Sequence, residues 1–269
     1  MRLACVQLSV EGGDVQGNLD RALTAIDDAA ERGADLVALP ELFDVGYFAF
    51  DSYARAAESL DGPKLARFAE RAAEHDVALL AGTVVEDLEA SATDGIEVPA
   101  DSGLANTAVL FDADGERRLV YRKHHLFGYD SAETDLLVPG ERVGTAEVAG
   151  LRVGVSTCYD LRFPELYREF VDRGVDLVLV PSAWPYPRVE HWRTLPRARA
   201  IENLAYVAAI NGSGSFDDAE LLGRTTVYDP WGTTVASADD DPRTVFAEVD
   251  PGRVAAVRED FPALRDRRL

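Results

Sequence analysis

Apolar and polar positions alternate along this chain in two rhythms. Leu3 to Leu8 is a short apolar run and reads as a buried strand. Asn18 follows as the expected N-cap, and Leu19, Leu23, Ile26 and Ala30 then recur on one helical face. Gly33 stops that helix, and Asp35 to Leu39 is again an apolar strand. The unit is β-α-β. Gly62-Pro63 opens a second helix that runs to about His75, followed by a strand from Val77 to Gly82. Residues 86–103 show no sustained period and carry six acidic and no basic side chains, so they read as a loop. Asn106 to Tyr121 reads as a hairpin around Asp112-Ala113-Asp114-Gly115. Further strands are expected at Leu151–Thr157, Asp176–Val180, Tyr206–Ile210, Thr225–Tyr228, Thr233–Ala236 and Thr244–Val249. Helices are expected at Glu165–Asp172, closed by Gly174, and at Ala198–Leu204.

Two of these stretches repeat. Residues 31–42 read ERGADLVALPEL and residues 172–183 read DRGVDLVLVPSA. Each is a helix end, a glycine, a buried strand and a proline, about half a chain apart. The repeat predicts two similar β-α-β halves. No linker of Gly, Ser and Pro lies between them, so residues 1–269 read as one α/β domain built of two related sheets.

Charge changes the picture next. The chain has 48 acidic and 27 basic residues, a net charge of −21, which disfavours nucleic acid and anionic membranes as partners. No apolar run reaches the ~18 residues of a membrane span, and the N-terminus lacks the pattern of a signal peptide. A cytoplasmic setting is the expectation, with Cys5 and Cys158 as free thiols. The bases are 25 Arg and only two Lys, Lys64 and Lys123. Excess carboxylate with few lysines suits a protein kept soluble in concentrated salt, and a GC-rich genome gives a similar bias. In either background a retained lysine needs a reason. Lys64 reads as a residue of a surface helix.

Three places can carry chemistry. Cys158 follows the strand 151–157 and precedes a turn and a helix, so its thiol is lifted out of the sheet. The backbone N–H of Tyr159 can then face a developing oxyanion. A buried structural cysteine at a strand end is the plainer alternative. Glu41 stands after Leu39-Pro40, at the sheet edge where open α/β sheets place ligands. The matching position of the repeat is Ser182, and a solvated loop glutamate is the alternative. Lys123 lies in Tyr-Arg-Lys-His-His-Leu-Phe at 121–127, which on its own reads as an exposed basic cluster.

Together, Leu-Pro-Glu-Leu at 39–42, Tyr-Arg-Lys-His-His-Leu-Phe at 121–127 and Cys-Tyr-Asp-Leu-Arg-Phe-Pro-Glu-Leu at 158–166 resemble the three signatures of the carbon–nitrogen hydrolase (nitrilase) superfamily, in its order. The resemblance extends through Asn106-Thr107-Ala108, Pro181–Pro185, Ala198–Asn203, Asp229–Gly232 and Phe261–Arg268. It implies a four-layer α-β-β-α sandwich, association as a homodimer or larger, and a triad of Glu41, Lys123 and Cys158. It also implies a second active-site glutamate six residues before a Pro-Gly pair, which is Glu133 before Pro139-Gly140.

The implied reaction is hydrolysis of a small carboxamide through a cysteine thioester. Glu41 would move the proton, Lys123 and the Tyr159 N–H would face the oxyanion, and Glu133 would position the substrate nitrogen or the lysine. The motifs look most like the omega-amidase branch, which acts on ω-amides of dicarboxylic acids. N-carbamoyl amino acid amidohydrolase and nitrilase are the alternatives on this scaffold, and a non-catalytic binding protein is disfavoured because the whole triad is present. A Cys–His hydrolase using His124 or His125 would leave the Leu-Pro-Glu motif idle. Arg162 is a candidate for a substrate carboxylate or for an ion pair with Glu165. Tyr47, Tyr159 and Trp184 are candidates for the pocket wall or for core packing. Four scattered histidines and no Cys-x-x-Cys give no metal an obvious home, and no cofactor is expected.

Overall fold

The computed structural model describes residues 1–129, 131–216 and 219–268. The apolar runs form two six-stranded mixed sheets. The first has the order β14-β1-β2-β3-β4-β5. Its strands are β1 (Arg2–Gln7), β2 (Leu36–Ala38), β3 (Ala78–Asp87), β4 (Leu104–Phe111), β5 (Arg117–Arg122) and β14 (Arg243–Glu248). The second has the order β13-β12-β9-β8-β7-β6, with β6 (Thr145–Val148), β7 (Leu151–Val155), β8 (Leu177–Ser182), β9 (Tyr206–Asn211), β12 (Thr226–Tyr228) and β13 (Thr234–Ser237). The strands β10 (Ser213–Phe216) and β11 (Ala219–Leu222) form a separate two-stranded sheet.

The halves share one topology. In the first, β1, β2 and β3 are parallel and β4 and β5 add antiparallel strands. In the second, β7, β8 and β9 are parallel and β12 and β13 add antiparallel strands. The outer antiparallel neighbour is β6 in the second sheet and β14 in the first. The repeated strands of the sequence are β2 and β8, each central in its sheet.

Alternate residues explain the layers, since successive side chains of a strand face opposite ways. Leu3, Cys5, Leu36 and Leu80 of the first sheet share a core with Leu151, Val153, Leu177 and Leu179 of the second. On the far face, Ala4, Val6 and Val37 pack with Leu19, Leu23 and Ile26 of the helix Val15–Glu31 and with Leu65 and Phe68 of the helix Pro63–His75. Val178 and Val180 pack with Tyr167 and Phe170 of the helix Pro164–Asp172 and Trp192 of the helix Val189–Asn203. The architecture is the α-β-β-α sandwich of two related halves. No helix is long and apolar enough to cross a membrane among the described residues.

Several expectations need correction. The first helix starts earlier, with Asp14 as N-cap accepting from the Gly17 N–H at 3.2 Å. Asn18 lies inside it, buried, and its amide satisfies the Glu11 N–H, the Glu11 carbonyl and the Asp44 carbonyl. Residues 86–103 are not a loop throughout: Glu86 and Asp87 end β3, and Leu88–Thr93 is a helix capped by Asp87. The last helix before β9 begins at Val189 and runs through Pro196. The strands β6, β10 and β11 and the helix Pro251–Asp260 were not anticipated.

The largest correction concerns Lys64. It is buried, and its Nζ donates to Asp44 Oδ2 at 2.5 Å and to the Ala56 carbonyl at 2.6 Å. The amphipathic pattern of its helix did not reveal this, because the partner carboxylate arrives from a loop some twenty residues earlier.

Candidate active site

Four chain segments converge where the two sheets' strand ends meet. Glu41 lies three residues after β2, on a loop fixed by the bulge in β3 between Leu80 and Thr83. Gly82 makes that bulge with a φ of +47°, and a Cβ there would stand 2.1 Å from the Pro40 carbonyl oxygen. The next residue, Thr83, accepts the Leu42 N–H through Oγ1 at 2.8 Å. Lys123 follows β5. Its carbonyl accepts the Gly140 N–H at 2.9 Å, and a Cβ on Gly140 would lie 2.1 Å from the Arg122 carbonyl oxygen. The Pro139-Gly140 pair thus clamps the lysine's backbone.

Cys158 opens the turn after β7 with a φ of +45°, and Leu42, beside Glu41, has a φ of +43°. A left-handed conformation costs an L-residue about 1–2 kcal/mol, so the surrounding bonds must hold both. At Cys158 they centre on buried Asp160. Asp160 Oδ2 accepts the Thr157 N–H at 2.9 Å and the Tyr121 hydroxyl at 2.6 Å. Its Oδ1 accepts the His125 N–H at 3.0 Å and lies 2.7 Å from His125 Nδ1. One carboxylate therefore ties the cysteine turn to the segment that carries Lys123.

The charges form a closed set. Lys123 Nζ donates to Glu41 Oε1 at 2.9 Å and to Glu133 Oε1 and Oε2 at 2.7 and 3.0 Å. Asn106 Nδ2 donates to Glu41 Oε1 at 2.8 Å and to Glu133 Oε1 at 3.4 Å. Glu41 Oε2 accepts the Ala183 N–H at 2.9 Å, and the Glu41 N–H reaches the Ser182 carbonyl at 3.4 Å. The matched ends of the internal repeat thus meet each other at the site. Glu133 Oε2 also accepts the Tyr47 hydroxyl at 2.9 Å and the Phe127 N–H at 2.7 Å. Glu41, Lys123 and Glu133 are all at most 2% exposed.

Burial governs the protonation. It pushes the Glu41 carboxyl up from the ordinary glutamate range, Lys123 opposes the shift, and Glu133 adds to it. Burial alone would lower Lys123, but Glu133 and Glu41 override it and hold the ammonium well above its usual pKa. The Cys158 thiol is pushed well up by burial and by Glu41, with Lys123 opposing. Cys158 is therefore a thiol at rest beside Glu41, not a free thiolate. Cys5 is raised by burial alone, in the core between the sheets.

The cleft above Cys158 is small, about 40 Å³, and is walled by Tyr47, Phe127, Tyr159, Trp184, Arg162 and Arg188 among others. Tyr159 stands second in a 3-10 turn, whose first N–H groups have no partner within the helix. Arg162 makes no ion pair with Glu165: its Nη2 lies 3.0 Å from His191 Nδ1, and its guanidinium sits 5.2 Å from the Trp184 ring centroid. His124 stacks on Tyr121 and His125 on Phe163, and neither lines the cleft, which leaves a Cys–His arrangement without a base. None of residues 86–103 lines it either.

Sequence reasoning missed Asn106, the Ala183 and Phe127 N–H groups, Asp160 and Arg188. Asn106 had a signal, being the one amide in the mostly apolar strand Leu-Ala-Asn-Thr-Ala-Val-Leu-Phe. The backbone donors had none, because their direction is set by the fold.

Comparison with known proteins identifies the family. The carbon-nitrogen hydrolase family model matches residues 2–259. A "2-oxoglutaramate amidase" of Paenarthrobacter nicotinovorans is 37% identical over 87% of this chain and 79% of its own. The human "Omega-amidase NIT2" is 33% identical over 99% and 95%. Among solved structures, Saccharomyces cerevisiae Nit3, a member of branch 10 of the nitrilase superfamily, superposes with a TM-score of 0.87 at 30% identity, covering 100% of this chain and 97% of its own. A Glu-to-Gln variant of the amidase from Nesterenkonia sp. AN1, also at 30% identity, with a TM-score of 0.83 over 100% and 94%, carries the acetamide moiety of fluoroacetamide covalently on its active site cysteine. This chain belongs to the carbon-nitrogen hydrolase family.

Proposed function

We propose that this carbon-nitrogen hydrolase is a cysteine-dependent amidase that cleaves the ω-amide of a short dicarboxylic acid to carboxylate and ammonia. The observation that carries the reading is the Lys123 ammonium bridging Glu41 and Glu133 beside Cys158. The resemblance to relatives named for ω-amides and 2-oxoglutaramate supports the substrate class.

The chemistry follows from the protonation states. Glu41 takes the thiol proton as Sγ attacks the amide carbon, so no free thiolate need accumulate. The substrate oxygen gains negative charge, and the Lys123 ammonium and the Tyr159 N–H are the donors offered to it. Collapse breaks the C–N bond. Glu41 returns the proton to the leaving nitrogen, and ammonia departs, leaving a Cys158 thioester. A water then gives its proton to Glu41 and its oxygen to the acyl carbon, and the thiol is restored. Glu133 holds Lys123 in place and, through the Phe127 N–H and Tyr47, fixes the wall of the cleft. Arg162, without an acidic partner among the described residues, receives the substrate carboxylate, while Tyr47 and Trp184 confine its carbon chain. We also infer a homo-oligomer working in a reducing cytoplasm, a reading supported by two free cysteines and by exposed Ile201, Trp231 and Phe261.

The test is ammonia release across ω-amides, N-carbamoyl amino acids and nitriles. Mass spectrometry of the quenched enzyme accompanies it. Cys158→Ala should abolish turnover and the acyl adduct, and Cys5→Ala should retain both. Full activity in Cys158→Ala, or turnover confined to carbamoyl compounds or nitriles, ends this reading.

A further inference from the structure

Arg188 stands at the doorway of the cleft. It walls the small space over Cys158, and it also borders the wider groove outside, together with Phe48, Tyr129 and Pro185. Its backbone is fixed. The Arg188 carbonyl accepts Trp184 Nε1 at 3.1 Å and the Trp192 N–H at 3.2 Å. Its guanidinium lies 5.2 Å from the Phe127 ring centroid, and the Phe127 N–H is held by Glu133. The cation is thereby anchored to the same network that holds Lys123.

Among the described residues, no carboxylate oxygen comes within 4.0 Å of it, and the same is true of Arg162. Most other arginines have an acid within this distance, as in Arg152–Glu147, Arg224–Asp240 and Arg253–Asp229, although Arg32, Arg55, Arg197 and Arg265 also have none among the described residues. In a chain with 48 acids against 27 bases, the described lining of the cleft over Cys158 carries Lys123, Arg162 and Arg188 and no carboxylate. Size points the same way. The space over Cys158 is small, about 40 Å³, and Arg162 and Arg188 both stand in its wall. An amide carbon set against Cys158 would share this cleft with both guanidiniums.

We propose that Arg188 is a second specificity-determining residue, which with Arg162 clamps the distal carboxylate of the substrate and so excludes neutral amides. The proposal rests on the ω-amide reading above and adds to it the group that makes the selection. A guanidinium suits the task, because its planar fork matches a carboxylate and it stays charged at every working pH.

The experiment compares a five-carbon dicarboxylic acid monoamide with the neutral amide in which a methyl group replaces the carboxylate. Arg188→Gln should lower kcat/KM for the anionic amide by about 10- to 100-fold, mainly through KM, the usual loss of a charge-assisted hydrogen bond. For the neutral amide it should change kcat/KM by less than about 3-fold, and Arg188→Lys should recover part of the loss. An equal fall on both amides would make Arg188 a structural residue and overturn the proposal. A retained preference for the anionic amide in Arg188→Gln, lost in Arg162→Gln, would overturn it while leaving the ω-amide reading intact. A wild-type enzyme that shows no preference between the two amides would sink that reading itself.

Discussion

Lys123 shows how much one side chain can be asked to do. Its ammonium has three donors, and in the resting site three carboxylate oxygens of Glu41 and Glu133 surround it. In the proposed reaction it must give up part of that bonding to serve the oxyanion, without leaving its place. A compact point charge can do so, and a planar guanidinium cannot. Lys123→Arg should fold normally and lose about 100-fold or more in kcat, with KM changed less, because the bond is made in the transition state. Near-wild-type kcat would remove Lys123 from oxyanion work. Glu41 gives a complementary pH test. As the proposed base it must be ionised to accept the thiol proton, so activity should rise with pH through its pKa. Burial and the charge of Glu133 raise that pKa, which puts the acid limb of kcat/KM above the ~4.3 of a free glutamate. Glu133→Gln removes one raising charge. The acid limb should therefore move to lower pH while kcat falls, and a limb that stays put or moves upward would contradict the coupling.

At the level of elements, the informative comparison is between the chain's two lysines. Both are buried, and both pair with carboxylates brought in by a loop. Lys64 occupies the first turn of its helix and neutralises Asp44, while its backbone N–H is taken by Glu58 at 2.8 Å. Lys64 is therefore not the surface-helix residue its sequence pattern suggests, and Lys64→Arg should not be neutral. The longer side chain overfills a packed site and should cost about 1–3 kcal/mol in a denaturant titration. Lys64→Met, which leaves the Asp44 charge buried alone, should cost about 3–5 kcal/mol. Unchanged midpoints in both variants would show that the site relaxes freely. The element boundaries tell a related story. The helix Pro63–His75 was legible because proline and period agree. The helix at Val15 was read as starting at Asn18, because Asn is an ordinary cap and nothing local says that its amide is needed three times inside the fold.

The whole molecule carries a net charge of −21, and its surface must tolerate that self-repulsion. Raising salt from 0.1 M to 1 M shortens the screening length from about 10 Å to about 3 Å. Thermal unfolding followed by circular dichroism should move to higher temperature in molar KCl than in 0.1 M KCl. A lower midpoint in molar KCl would mean that the many surface ion pairs, such as Arg117–Asp61 and Arg224–Asp240, outweigh the net repulsion. The internal repeat also acts at this scale. It places β2 and β8 centrally in their sheets, and the facing core of the sandwich brings Glu41 against Ser182 and Ala183.

Sequence by itself determined the strands β1, β2, β7, β8 and β9 and the two-fold plan. Apolar period and the repeated Gly-strand-Pro segment are local patterns, and burial on both faces leaves few other ways to satisfy them. The motifs around Glu41, Lys123 and Cys158 were equally plain as residue types. Tertiary structure alone decided what surrounds them. The Ala183 and Phe127 N–H groups, the Asn106 amide and the Asp160 hub are ordinary residues until the chain brings them within hydrogen-bond reach of the site. The pKa shifts belong to the same class, since burial and opposed charges come from residues tens of positions apart. So does the doorway: only the fold places Arg162 and Arg188 on one cleft whose described lining holds no carboxylate.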